Sequence, residues 1–124
     1  MKVKEVMKTP YFADENLSLS KVAKIMVTRK ISSLIYMENN NISGIVTESD
    51  LLKNFSKNKK IKDIMSGNVI TIEQEEDLQE AVRLMKENNI KRLPVLAKNE
   101  LVGVITLTDI AAKSEEVDDN FFFE

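Results

Sequence analysis

The sequence has no cysteine and no histidine, and only three glycines and two prolines among its 124 residues. The lack of cysteine excludes disulfides, thiolate nucleophiles and Cys-ligated metals. The lack of histidine removes the commonest general base and the commonest zinc ligand. Few residue types are then left for catalysis, so we expect a protein that is not an enzyme and requires no metal.

Long apolar runs and a strong net charge are also missing. No run approaches the roughly 20 residues that cross a bilayer, and residues 1–5 lack the apolar stretch of a signal peptide. The composition, 43% hydrophobic and 31% charged, is that of a globular protein. A net charge of −2 argues against a nucleic-acid binder. We expect a cytoplasmic protein with neither membrane nor nucleic acid as partner.

What the sequence does contain is a long internal repeat. Laying Leu19 on Leu78 also lays Met26 on Met85, and it lays residues 44–50 (GIVTESD) on residues 103–109 (GVITLTD). Each copy ends in Gly-apolar-apolar-Thr-x-Ser/Thr-Asp. A repeat of this length predicts two similar structural units that stack on each other.

Hydrophobic periodicity gives both halves the same series of elements, a β-α-β-β-α unit preceded by a short helical turn. The predicted elements are helical turns at 3–7 and 61–65, extended segments at 10–13 and 68–72, amphipathic helices from 19 and 78, strands at 34–37, 42–47, 93–97 and 101–106, and closing helices at about 49–55 and 108–113. A three-stranded unit leaves one sheet face poorly covered. We therefore predict an α/β (α+β) fold in which two units pack face to face.

These motifs resemble the cystathionine-beta-synthase (CBS) domain, here as a tandem pair, or Bateman module. The resemblance extends from Val3 to Lys113, and residues 91–95 (KRLPV) match the family's basic entry to its second strand. Residues 32–36 (SSLIY) lack that basic pair and the proline. The predicted organisation is repeat 1 at 1–56, a basic linker at 57–60, repeat 2 at 61–113 and an acidic, Phe-rich tail at 114–124.

The resemblance implies the function and the partners. It implies a regulatory module of pseudo-two-fold symmetry that binds an adenosine nucleotide in the cleft between the repeats. The ligands to consider are AMP, ADP, ATP and S-adenosylmethionine. The module would report occupancy to a regulated protein partner, and apolar stripes on the two amphipathic helices suggest a homodimer.

The repeated motif suits a nucleotide on chemical grounds. A glycine in the last strand lets a ligand or another backbone approach closely. The threonine stands where the strand turns into a helix, beside free N–H groups that suit a phosphate, and the aspartate can accept hydrogen bonds from a ribose diol. The residues concerned are Gly44, Thr47, Ser49 and Asp50 in repeat 1 and Gly103, Thr106, Thr108 and Asp109 in repeat 2.

Both motifs also have a purely structural interpretation. Thr-x-x-Asp is a variant of the capping box, in which the threonine caps a helix and the aspartate favours the helix dipole. A capping threonine can still offer its hydroxyl to a phosphate, so the two interpretations are compatible. We expect the Asp109 motif to be the stronger site, because Glu48 adds a carboxylate to the Asp50 motif where Leu107 stands in the other.

The family resemblance adds further candidate contacts. A basic residue before the Leu-Pro-Val strand, here Arg92, would meet phosphate, although a solvated arginine is equally consistent. Two extended segments would contact adenine, or would serve only as strand core. They are Tyr11, Phe12 and Ala13, and Val69, Ile70 and Thr71. Met26 and Met85 lie on the apolar stripes and are predicted to be helix core.

Two other classes of function stay open. One is a scaffold without ligand, in which the Thr-x-x-Asp motifs only cap helices. The other, favoured least, is a Mg²⁺-dependent hydrolase that uses Asp50 or Asp109, against which stands the lack of a second carboxylate at short spacing. Residues 121–123 (FFF) suggest either a docking hook or a tail folded back on its own domain.

Overall fold

The computed structural model describes residues 1–55 and 58–117, with side chains described as far as Lys113. The tail interpretation for residues 121–123 and Lys57 of the predicted linker therefore lie outside the described residues. The chain forms two compact units. We call residues 11–69 the Asp50 unit, and residues 1–10 together with those from 70 onward the Asp109 unit.

The Asp50 unit is a three-stranded sheet with helices. Strand β1 pairs in parallel with β2, and β2 pairs antiparallel with β3, giving the order β1-β2-β3. Its elements are β1 (Phe12–Ala13), α1 (Leu19–Arg29), β2 (Ser33–Glu38), β3 (Asn41–Thr47), α2 (Glu48–Lys53) and α3 (Ile61–Ile64).

The Asp109 unit repeats this arrangement, with a parallel and an antiparallel pair in the order β4-β5-β6. Its elements are a 3-10 turn (Val3–Glu5), β4 (Ile72–Glu73), α4 (Leu78–Asn88), β5 (Arg92–Ala97), β6 (Glu100–Thr106) and α5 (Leu107–Val117). The β-α-β-β-α series predicted for each half is confirmed. The first strand of each unit pairs over two residues only, and is shorter than the predicted extended segment.

Helix boundaries follow from local signals. Ser18 caps α1 because its hydroxyl accepts a hydrogen bond from the Lys21 N–H, at 3.3 Å. Both α1 and α4 end on a residue in the left-handed region, Lys30 and Asn89. The apolar stripe of each helix lies in the core of its own unit, and the prediction that Met26 and Met85 are core residues is confirmed.

The two hairpins share one turn geometry. Asn39 and Asn40 connect β2 to β3 with φ of 52° and 64°, and Lys98 and Asn99 connect β5 to β6 with φ of 51° and 65°. Two consecutive residues at positive φ form the two-residue turn that matches the twist of a hairpin. Because this turn is tighter than the three-residue turn predicted, the flanking strands are longer than expected.

Each short helical turn belongs to a compact unit that the repeat alone does not indicate. Val3 is fully buried in the Asp109 unit, where it packs with Leu78, Ala81 and Ile110. Ile61 is fully buried in the Asp50 unit, in the cluster with Val22. Each compact unit thus contains the sheet of one sequence repeat and the helical turn that precedes the other. The predicted boundaries at 1–56 and 61–113 describe the two sequence repeats. The compact units have different boundaries, because each takes its helical turn from the other repeat.

In the described part of the chain, no helix is both long enough and apolar enough to cross a membrane.

Candidate functional site

Thr47 and Asp50 form a complete capping box at the start of α2. The Thr47 N–H donates to Asp50 Oδ2 at 2.9 Å, and the Asp50 N–H donates to Thr47 Oγ1 at 3.3 Å. The Thr47 hydroxyl also lies 3.1 Å from Asp50 Oδ2. The capping interpretation of this motif is confirmed. It involves only one carboxylate oxygen of Asp50, so it is compatible with a ligand on the other.

Thr106 and Asp109 cap α5 in a similar way. The Asp109 N–H donates to Thr106 Oγ1 at 3.1 Å, and the Thr106 hydroxyl donates to Asp109 Oδ2 at 2.8 Å. The other oxygen, Oδ1, lies 3.4 Å from the ammonium group of Lys8. The Asp109 side chain is 17% exposed and that of Lys8 is 71% exposed. This aspartate therefore has a cationic partner that comes from the opposite end of the chain.

Sequence analysis did not identify Lys8 as a site residue. The repeat contains one signal, a difference in charge at equivalent positions: Lys8 follows Met7, whereas the neutral Ser66 follows Met65. The backbone of Lys8 pairs with that of Val104 through two hydrogen bonds of 2.9 Å. That pairing brings a residue from the start of the chain to the end of β6, a placement that periodicity cannot predict.

The entry to the second strand differs between the units. Arg92 is the register partner of Thr106, and Ser33 is the register partner of Thr47. Arg92 is half-buried, with its Nε atom enclosed. The structure therefore places a cationic side chain on the strand beside the Asp109 motif and a neutral one beside the Asp50 motif.

Of the segments predicted to contact adenine, residues 11–13 and Val69 lie in the Asp50 unit, and Ile70 and Thr71 lie in the Asp109 unit. In the Asp50 unit, Tyr11 and Phe12 are exposed, and the Tyr11 carbonyl accepts a hydrogen bond from the Ile35 N–H at 3.3 Å. The Arg29 guanidinium lies 5.5 Å from the centroid of the Tyr11 ring, a cation–π contact that sequence analysis missed. These two aromatic side chains present accessible apolar surface.

The candidate residues fall into two sets. The Asp50 unit contains Tyr11, Phe12, Ala13, Gly44, Thr47, Ser49, Asp50 and Val69. The Asp109 unit contains Ile70, Thr71, Arg92, Gly103, Thr106, Thr108 and Asp109. Ser49 and Thr108 are exposed in the first turns of α2 and α5, whereas Val69, Ile70 and Thr71 are half-buried. As ligand contacts, all fifteen stay predictions.

Two of these candidates, Gly44 and Gly103, have a structural role. A Cβ on Gly103 would lie 2.5 Å from Met7 Sδ and 3.1 Å from the Lys8 carbonyl oxygen. A Cβ on Gly44 would lie 2.4 Å from Met65 Sδ and 3.0 Å from the Ser66 carbonyl oxygen. The space that each glycine leaves open is filled by protein. The glycine of the motif and the methionine that ends the helical turn are therefore two halves of one packing contact.

Gly103→Ala should destabilise the protein by about 1–3 kcal/mol, because the new methyl group overlaps Met7 and the Lys8 carbonyl. Gly67→Ala is the matched control, since its Cβ would meet only the Ser43 carbonyl oxygen, at 3.9 Å. Urea unfolding followed by circular dichroism measures both. Equal stability of the two variants would contradict the contact, and a Met7→Ala/Gly103→Ala double variant should lose less than the sum of the single changes.

Ion pairs tie the N-terminal segment to the loop before α4. The ammonium groups of Lys2 and Lys4 each lie 2.7 Å from a carboxylate oxygen of Glu75. Hydrogen bonds from Lys2 and then Lys4 lower the pKa of Glu75 to about 2. These groups are exposed, so the pairs contribute little to stability and are screened by salt. The backbone hydrogen bonds of the segment, and not these pairs, hold Lys8 in place.

A separate cavity of about 530 Å³ lies in the Asp50 unit. Leu19, Ala23, Leu51 and Phe55 supply its apolar wall, and Lys59 lies on its polar side. None of the fifteen candidate residues lines it. Among the described residues, no group of three or more carboxylates is placed to hold a metal ion.

Comparison with known proteins identifies the family. A family model for the CBS domain matches residues 3–57 and again residues 61–116. The chain belongs to the CBS domain family. Both repeats are matched, which confirms the tandem pair inferred from the motifs.

Solved structures and curated relatives agree with this assignment. The chain is similar to the CBS domain pair of protein MJ0100, solved in complex with 5′-methylthioadenosine and S-adenosyl-L-methionine, with a TM-score of 0.88 and 31% identity over 95% of this chain and 98% of that one. It is 43% identical over 122 residues to the uncharacterized protein MJ0653 of Methanocaldococcus jannaschii, covering 93% of this chain and 63% of the relative.

An enzyme also contains a similar region. The chain is 35% identical over 95 residues to the inosine-5′-monophosphate dehydrogenase of M. jannaschii, which covers 75% of this chain and 19% of the enzyme. The chain thus spans less than two thirds of the length of either curated relative. The similarity to the dehydrogenase concerns a fifth of that protein.

Proposed function

We propose that this CBS pair binds an adenosine nucleotide at its Thr-x-x-Asp motifs and acts as a regulatory module. The observation that carries the proposal is the Asp109 site, where one carboxylate oxygen accepts a hydrogen bond from the Thr106 hydroxyl and the other is available to share between Lys8 and a ligand. A carboxylate is the strongest acceptor for the two hydroxyls of a ribose. The positive end of the α5 dipole would lie beside the phosphate.

The MJ0100 pair supports the class of ligand. Both small molecules in that complex are adenosine derivatives, and the similarity covers nearly the whole of each chain. AMP, ADP, ATP and S-adenosylmethionine are the compounds that we propose for this chain. We further propose that the nucleotide is bound without conversion, and that occupancy is reported to a protein partner in the cytoplasm.

A homodimer stays a prediction, and its basis is narrower than the sequence suggested. Most of the helical stripes proposed as dimer surface are already buried in the chain's own cores, as the positions of Val22 and Met85 show. Among described residues, Val27 on α1 and Leu52 on α2 are apolar and largely exposed. Val27 is thus an exposed apolar side chain on α1, one of the two helices of the prediction, and Leu52 lies outside the two stripes on which the prediction was based.

The scaffold function is the second candidate, and the hydrogen bonds within each motif favour it. Thr47 and Asp50 satisfy each other, as do Thr106 and Asp109, so neither motif requires a ligand to be stable. The two functions differ in one measurable property, since only the sensor is stabilised by an adenosine compound.

Titration with AMP, ADP, ATP, GTP and S-adenosylmethionine separates the two functions. We expect at least one adenosine compound to give a binding isotherm and to raise the melting temperature by several degrees. A ligand at a hundred times its Kd stabilises the folded state by about 2.7 kcal/mol. The ligand should be recovered unchanged by chromatography after incubation with Mg²⁺. Protein free of carried-over ligand that responds to none of the adenosine compounds would support the scaffold.

A further inference from the structure

We infer that the Asp109 site selects adenosine ligands that carry a phosphate, and that Lys8 is the residue that selects them. The inference rests on the proposed function and adds to it the charge of the ligand. Lys8 Nζ lies 3.4 Å from Asp109 Oδ1, and the lysine side chain is 71% exposed. An ammonium group has three donors. It can keep Asp109 as one partner and offer the others to an anion at the same site.

The backbone holds Lys8 firmly at this position. The Lys8 N–H donates to the Val104 carbonyl, and the Val104 N–H donates to the Lys8 carbonyl, both at 2.9 Å. The preceding residue, Met7, packs against Gly103. The Cα of Lys8 is thus fixed to β6 two residues before Thr106, and only its side chain must adjust when a ligand arrives. Fixing the backbone in advance lowers the entropy lost on binding.

The Asp50 unit provides an internal comparison. Ser66 takes the place of Lys8, and its backbone pairs with Ile45 through bonds of 3.0 and 3.1 Å, as Lys8 pairs with Val104. The two residues are therefore equivalent in position, and only one of them is charged. A methionine packed on a glycine precedes each of them. The difference between the sites lies in the side chains and not in the backbone.

The neighbouring positions extend the same difference in charge. At the Asp109 site the equivalent positions carry three cations and one carboxylate, whereas at the Asp50 site they carry two carboxylates and no cation. The first set is Lys8, Lys91, Arg92, Leu107 and Asp109, and the second is Ser66, Ser32, Ser33, Glu48 and Asp50. The carbonyls of Lys91 and Ser32 accept the N–H of Leu107 and Glu48, which confirms that these positions correspond.

This difference bears directly on a phosphate. Because the Debye length is about 8 Å at physiological ionic strength, charges within one site act on a ligand, whereas distant charges are screened. At these positions a phosphate is attracted by the three cations of the Asp109 site and repelled by the two carboxylates of the Asp50 site. Adenosine itself has no phosphate, so these charges neither attract nor repel it in this way. The Asp50 site is therefore the one suited to neutral or cationic adenosine derivatives.

AMP and adenosine form a matched pair of probes, because they differ only in the phosphate. In calorimetric titrations we expect Lys8→Gln to weaken AMP binding about tenfold, as the loss of one charge-assisted hydrogen bond predicts. Adenosine binding should change by less than about threefold. Lys8→Arg should retain AMP binding. Lys86→Gln is the control, since it makes the same change in net charge at an exposed position of α4 in the same unit.

A gain of function provides a second test. Ser66→Lys, made in Asp109→Asn protein so that the other site is weakened, should strengthen AMP binding while adenosine binding stays within about threefold. The AMP preference of the native protein should shrink when NaCl is raised from 50 to 500 mM.

The outcomes separate this inference from the function on which it rests. If adenosine compounds bind but Lys8→Gln changes AMP and adenosine equally, or changes neither, the selectivity is refuted and the nucleotide sensor stands. If neither AMP nor adenosine binds the native protein and the wider panel also fails, both the sensor and the role of Lys8 are wrong. The sensor and the role of Lys8 are both supported if Lys8→Gln weakens the binding of AMP but not of adenosine. In that case Lys8→Arg should retain AMP binding, and Lys86→Gln should leave it unchanged.

Discussion

Val3→Asp should destabilise the protein by several kcal/mol, enough to remove most of the stability of a domain this size. Val3 is fully buried among Leu78, Ala81 and Ile110, and its N–H donates to the Glu76 carbonyl at 2.8 Å. The cluster offers no cation to a carboxylate at that point. Val3→Ala removes two methyl groups without adding charge and should cost roughly 1–3 kcal/mol.

Urea unfolding followed by circular dichroism measures both changes. The matched control is Val27→Asp, because Val27 is 79% exposed on α1. That change should cost less than about 1 kcal/mol, including the penalty for an acidic residue near the end of a helix. If aspartate were tolerated as well at position 3 as at position 27, the N-terminal segment would not belong to the core of the Asp109 unit.

Asp109→Asn should weaken the binding of adenosine nucleotides to its site by roughly tenfold to a hundredfold. The amide keeps the shape of the side chain and loses the charge that strengthens its hydrogen bonds to a ribose diol. It also releases Lys8 from its ion pair. Asp50→Asn should have a smaller effect on phosphate-bearing ligands, since its site already carries Glu48. Calorimetry on each variant gives the affinity and the number of sites.

The same variants test the capping role without ligand. Asn can still accept from a backbone N–H, so the free protein should lose at most about 1 kcal/mol. If Asp109 only caps α5, the melting temperature of the free protein should fall modestly while the shift caused by the nucleotide stays the same. That result would remove Asp109 from the binding site and leave its structural role intact.

Much of each unit could be predicted from the sequence because the signals were local. The apolar stripe that contains Val22 and Met26 predicted α1, and the two strand-like segments on either side of Asn40 predicted a hairpin. The capping box at Thr47 was one of two interpretations considered, and it is present. All of these depend on contacts between residues close together in the chain.

The parts that could not be predicted depend on contacts between distant residues. The repeat showed that residues 3–7 resemble residues 61–65, yet it gave no sign that each turn belongs to the sheet of the other repeat. For the same reason Lys8 was overlooked, although Glu48, which lies inside the Asp50 motif, and Arg92, which the family resemblance implied, were identified. The glycines were recognised as places of close approach, but the approaching group, a methionine, is many residues away.

The placement of the N-terminal segment also sets the order in which the protein can be completed during synthesis. All residues of the Asp50 unit are continuous in the chain, so they are available once residue 69 has left the ribosome. Residues 1–10 are made earlier but must wait for β6 and α5, which carry Val104 and Ile110. Until then Val3 and Met7 have no core to enter. Residues 1–10 are therefore made before the rest of the Asp109 unit, yet they are among the last residues of that unit to find their partners.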